Sequence, residues 1–117
     1  MLVGVALFEI HIAGSRSLKE KRMVAKSLRD QIRRRFEISA AEVALQDLHQ
    51  RARIALAFVV SDGAAADPLF ASLRDFVEGH GQGALIGWTE ETFDFDATVS
   101  LGIPNIAWQE QQDEEDT

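Results

Sequence analysis

The chain has 117 residues, 46% of them hydrophobic and including seven Phe and two Trp, which is the size of one domain and enough apolar volume to fill a core. It contains no cysteine, which excludes disulfides, thiolate metal sites and thiol nucleophiles and permits a reducing, cytoplasmic compartment. The net charge of −7 argues against a polyanionic partner until it is divided: residues 1–53 hold eleven of the twelve Lys and Arg against six acids, and residues 54–117 hold one Arg against thirteen.

Residues 2–12 are apolar at both parities, as a central strand requires, and Glu9 and His11 interrupt the run far short of a membrane span. With no basic region before it, the stretch is expected to be neither a signal peptide nor an anchor. Gly14-Ser15-Arg16 reads as a turn, and Ser17-Leu18-Lys19-Glu20 matches the capping box that opens a helix. The helix is expected over 17–35, with Leu18, Ala25, Leu28, Ile32 and Phe36 as its apolar stripe and three consecutive Arg at its negative end. Alternation returns over 38–47 and 51–61, and the polar gap Leu48-His49-Gln50 makes these two strands an antiparallel hairpin.

A second helix is expected over 64–79, facing inward through Leu69, Phe70, Leu73, Phe76 and Val77. Pro68 fits best in a first turn capped by Asp67, with a start near Ala64 and a local distortion as the other solution. A last strand covers 84–95. Residues 96–117 are read as an extension, with an apolar segment Leu101–Trp108 and an acidic, solvated and disordered end.

Strand, helix, hairpin, helix, strand is the split βαβ order, so the fold class is α+β: a ferredoxin-like βαββαβ domain over 1–95, with two helices on one face of a four-stranded antiparallel sheet. The first and third strands are apolar on both sides. The other sheet face is therefore expected to be covered, by a second copy in a homodimer or by Leu101, Ile103, Ile106 and Trp108.

Lys19, Arg22, Lys26, Arg29 and Arg33 follow a 3,4,3,4 spacing that keeps them on one helix face within about 80°. Lys21, Arg34 and Arg35 add charge on neighbouring faces. Such a ridge is suited to the phosphates of RNA, and Lys19, Lys21, Arg22, Lys26, Arg29 and Arg33 are the candidate contacts; a solvated face is the competing explanation. His11, His49 and His80 show no ligand spacing, and no metal or other cofactor is expected. Glu42, Asp47 and His49 cluster at the hairpin, as turn and edge residues do. Glu90, Glu91, Asp94 and Asp96 suit a charged sheet edge. No phosphate loop, dinucleotide fingerprint or nucleophile elbow occurs, and no catalytic residue is assigned. The third strand lacks the glycine and paired aromatics by which an RNA-recognition motif stacks bases on its sheet.

The run Ser17-Leu18-Lys19-Glu20-Lys21-Arg22, with Phe36 to Ser39, Ala41-Glu42-Val43, Gln46-Asp47-Leu48 and Gln50-Arg51-Ala52, resembles the YlxP-like family of small bacterial proteins, a domain of unknown function. The resemblance spans about residues 1–95. It implies a ferredoxin-like fold and a bacterial cytoplasmic protein. In many Gram-positive bacteria the family's gene sits beside those for a translation initiation factor and a ribosome-binding factor, which implies a translation context. The family offers no catalytic residues to carry over. Pro68 and the extension after Phe95 depart from its pattern. The expected function is a non-catalytic RNA- or ribosome-associated binding protein without membrane attachment; the alternative is a homodimeric protein-interaction or scaffold module.

Overall fold

The structure, a computed structural model, describes residues 1–45 and 47–95. Six elements follow in the order β1 (Leu2–His11), α1 (Leu18–Phe36), β2 (Ser39–Ala44), β3 (Arg51–Val60), α2 (Gly63–Glu78) and β4 (Ala84–Asp94). The strands form one antiparallel sheet in the order β2-β3-β1-β4, the arrangement of a ferredoxin-like fold. The two strands that are apolar at both parities, β1 and β3, are the central pair, and they run in register from Leu2 opposite Val60 to His11 opposite Arg51.

Ser17 caps α1 as its sequence predicts, accepting from the backbone N–H of Glu20 at 3.1 Å. The Glu20 carboxylate reaches one residue further back than in the standard box and accepts from the Arg16 N–H at 2.6 Å. The helix runs through Phe36 and closes on Glu37, whose φ of 55° allows its N–H to return to the Arg33 carbonyl. In α2 the cap is Asp62, which accepts from the Ala65 N–H at 3.1 Å; Asp67 is not the cap, and Pro68 lies inside the helix. A helix that starts at Gly63 gains the Asp62 cap and a full extra turn, which offsets the single backbone donor that Pro68 lacks.

Even-numbered residues of β1 and β3 face the helices. Phe8, Ile10, Ile54 and Leu56 meet Ala25, Leu28 and Ile32 of α1 and Phe70, Leu73 and Val77 of α2, all of them buried. Phe58 and Phe70 pack edge to face with centroids 4.9 Å apart, and Phe36 and Phe76 tie the end of α1 to α2 at 5.7 Å. Trp88 stacks on Phe8 at 5.5 Å and extends this core to the β4 edge.

β2 is shorter than the alternation suggests. Its pairing with β3 is irregular between Glu42 and Ala44, and Leu45 follows at φ 62°, which no continuing strand adopts. Odd-numbered residues of β1 and β3 form the opposite face, on which no described element packs. Leu7, Val59 and Phe93 are exposed there. The expected cover by residues 101–108 lies outside the described residues.

Candidate functional site

Helix α1 presents most of its cations on an exposed flank. Lys19, Arg22, Lys26 and Arg33 are exposed and Arg29 is partly exposed, so these five predicted residues stand together along one face of a 19-residue helix. From Lys19 to Arg33 the ridge extends about 21 Å at the α-helical rise. Asp30 interrupts it: its carboxylate accepts from Arg29 Nε at 3.1 Å and lies 3.9 Å from Arg33 Nη1, which takes up part of the charge of both. Arg35 leans over the Phe36 and Phe76 rings at 5.8 and 5.3 Å and is engaged in packing as well as in charge.

The sixth predicted contact, Lys21, is not on the ridge. Its side chain has no solvent exposure; Nζ donates to Glu42 Oε1 at 2.5 Å and to the Leu45 carbonyl at 3.2 Å. The cause is geometric. Lys21 precedes Ala25, Leu28 and Ile32 by four, seven and eleven residues, so it lies on the buried stripe of α1, facing the sheet. Glu42 lies on the same inward parity of β2 as buried Ala40. Lys21 therefore joins α1 to the end of β2 and is removed from the list of phosphate contacts.

A second cationic group, which composition did not single out, stands at the open sheet face. Glu9 of β1, 8% exposed, accepts from Arg51 Nε and Arg53 Nε of β3, each at 2.7 Å, and Arg51 Nη2 closes a second bond to it. Both guanidiniums are nearly half exposed. The hydrogen bond from Arg53 and the contacts with Arg51 hold the Glu9 carboxyl below its ordinary pKa of 4.5, against the opposing effect of burial. The signal in the sequence is parity: Glu9, His11, Arg51 and Arg53 are all odd-numbered on adjacent strands. The pairing register that joins them is visible only in the sheet.

Glu42, Asp47 and His49, grouped by sequence at the hairpin, divide: Glu42 turns inward to Lys21, while Asp47 and His49 are exposed. The histidines stand apart on β1, the hairpin and the end of α2. His80 is partly buried, its Nε2 lies 3.4 Å from Gln31 Nε2, and its buried Nδ1 has no hydrogen-bond partner among the described residues. Desolvation holds its pKa below 6.5. No helix among the described residues is long and apolar enough to cross a membrane.

Fold and surface together define a small α+β domain of ferredoxin-like topology with a cationic helix face and an open sheet face. The chain belongs to the family described as protein of unknown function DUF503, whose pattern matches residues 3–89. No curated protein matches it.

Proposed function

We propose that this protein is a non-catalytic RNA- or ribosome-associated binding protein of the bacterial cytoplasm that meets phosphates through Lys19, Arg22, Lys26, Arg29 and Arg33. The observation that carries the reading is the alignment of these five side chains on the solvent side of α1 while the sixth predicted contact, Lys21, is internal. A row of this length addresses several successive phosphates, and its cations release counterions when they do so. The translation context implied by the YlxP-like resemblance points to the same class of partner. The test is co-sedimentation with ribosomal subunits across a salt series. Association that falls steeply with salt, and less steeply in the Arg22→Gln/Arg29→Gln variant, supports the proposal; association unchanged by the double substitution at every salt concentration overturns it.

One observation favours the scaffold reading. Val59 is 65% and Phe93 47% exposed on the open sheet face, an apolar surface of the kind that homodimers bury. Light scattering on the full chain separates the two: a dimer without subunit association leaves the interaction module as the function.

A further inference from the structure

The open face of the sheet holds a trough of about 750 Å³, within the range of small-ligand sites. Its floor is built from short aliphatic side chains, Val5 and Leu7 of β1 with Ala55 and Ala57 of β3, and Ala41 of β2 continues it to the edge. Such a floor offers apolar contact without a hydrogen-bonding side chain of its own, which suits the face of a planar ring. Arg33 of α1 borders the trough at the β2 edge, and Thr89, Glu90 and Glu91 of β4 border it at the other.

At one end of the floor, one residue pair beyond Leu7 and Ala55, lies the Glu9–Arg51–Arg53 group. A single guanidinium would neutralise Glu9. The second leaves this end of the trough cationic, with the Glu90 and Glu91 carboxylates at the β4 rim as the opposing charges, and His11 lies in the row after it, opposite Arg51. Because the guanidiniums bind Glu9 through Nε, and Arg51 also through Nη2, the remaining N–H groups have no partner among the described residues and can reach an oxyanion. Glu9 holds the two forks in place in advance, which lowers the ordering cost of binding. An oxyanion at this end and a flat apolar body on the floor describe one ligand chemistry.

We infer that the Arg51–Arg53 pair, aligned by Glu9, is a phosphate-binding site for a nucleotide whose base lies on the Leu7–Ala55 floor. The amino group of such a base would find an acceptor in Glu91 at the β4 rim. The floor is aliphatic, so contact with the base comes from burial and dispersion and not from aromatic stacking. The site lies on the open sheet face with Arg33 of the ridge at its β2 edge, and its arginine pair on β3 stands apart from the other four ridge cations and without the reading given for that helix. The nucleotide is either free or a unit of an RNA strand, and the two sources are separable.

The experiment is a titration of the full ¹⁵N-labelled chain with AMP, adenosine, inorganic phosphate and a short single-stranded RNA, followed by amide shifts. AMP is expected to shift residues of the Leu7, Ala55, Arg53 and Thr89 neighbourhood. Arg51→Gln and Arg53→Gln, each of which leaves Glu9 one arginine, are expected to weaken it roughly ten- to hundredfold, the size of one lost charge-assisted hydrogen bond. Arg53→Lys, which keeps the charge, tests the fork if the Gln variants unfold, and is also expected to bind more weakly. AMP shifts on this face that leave the amides of Arg22 and Arg29 unmoved distinguish this site from the helix ridge. RNA shifting the same residues identifies the strand as the source, and AMP shifting them alone identifies the free nucleotide. The inference is overturned by the absence of shifts on this face, by shifts that the arginine variants do not weaken, by inorganic phosphate binding as well as AMP, or by a dimer that buries the face and excludes AMP.

Discussion

Lys21 Nζ stands 2.5 Å from Glu42 Oε1 beneath helix α1, so a cation from the most basic segment of the chain is used to dock that segment. A buried ammonium is stable only while its charge and its donors are met, and Glu42 and the Leu45 carbonyl meet them. Replacing Lys21 by Met leaves the Glu42 carboxylate uncompensated. The expected loss is about 3 kcal/mol, the low end for a broken buried pair because Glu42 keeps some access to water. The double variant Lys21→Met/Glu42→Leu is expected to recover most of it. Urea midpoints at unchanged m-value measure both; a single variant as stable as the parent would show that the pair contributes nothing.

The close approach of Gly4 to Phe58 sets a second test. A Cβ on Gly4 would fall inside the van der Waals envelope of the Phe58 ring, and that ring cannot retreat because Phe70 packs against it edge to face. Gly4→Ala is expected to cost about 1–3 kcal/mol by overpacking. Phe58→Leu in the Gly4→Ala background is expected to cost less than the two single losses added, since it opens the space the methyl needs. Additive losses in thermal melts would contradict the proposed contact.

The pH dependence of stability has two separate windows. His80 has its folded pKa below 6.5, so the unfolded chain binds the extra proton and folding opposes it. Its neutral form supports the fold above about 6.5, and stability falls as pH drops from 6.5 towards the folded value, then levels. Glu9 has its folded pKa below 4.5, so its contribution is present above 4.5 and is lost as pH falls through the lower folded value. His80→Leu is expected to flatten the first window alone, and Arg53→Gln to shrink the second. Denaturant titrations at intervals from pH 8 to 3 resolve them; a first window unchanged in His80→Leu would assign that slope to another group.

Much of this architecture is legible in the residues themselves. The Ser17 cap, the two-sided apolarity of β1 and β3 and the 3,4,3,4 cation spacing each have one local solution, and the structure adopts it. What is not legible depends on pairing over distance. Lys21 counts as a surface cation when charge is tallied, although its spacing to Ala25, Leu28 and Ile32 already places it inside, because no local rule supplies its partner Glu42, 21 residues on. Glu9, Arg51 and Arg53 read as isolated charges until the β1–β3 register aligns them. The end of β2 fails for a different reason. Alternation continues through Leu45, but the irregular pairing after Glu42 and the left-handed Leu45 bring a carbonyl to Lys21, and a polar requirement of the core ends the strand.

Asp30 offers the sharpest test of the helix face, because it changes the ridge without removing any cation from it. Its carboxylate binds Arg29 and lies within reach of Arg33, so both guanidiniums meet an incoming phosphate with part of their charge already satisfied. If α1 is the contact surface, Asp30→Asn removes a repulsive charge and frees both arginines. RNA or subunit association is then expected to tighten, most strongly at low salt where charges on the surface are least screened. The log–log salt slope is expected to steepen by up to about 0.7 for each additional single-strand phosphate neutralised. Stability should change by no more than about 0.5 kcal/mol, since Asp30 is 39% exposed and surface pairs contribute little. The opposing variant, Arg29→Gln, is expected to flatten the slope, and combined with Asp30→Asn to return it towards the parent value. Filter binding across a salt series reads all three. An Asp30→Asn variant that binds no more tightly than the parent at low salt would mean that nothing anionic approaches this face, and would leave the five cations as a solvated surface.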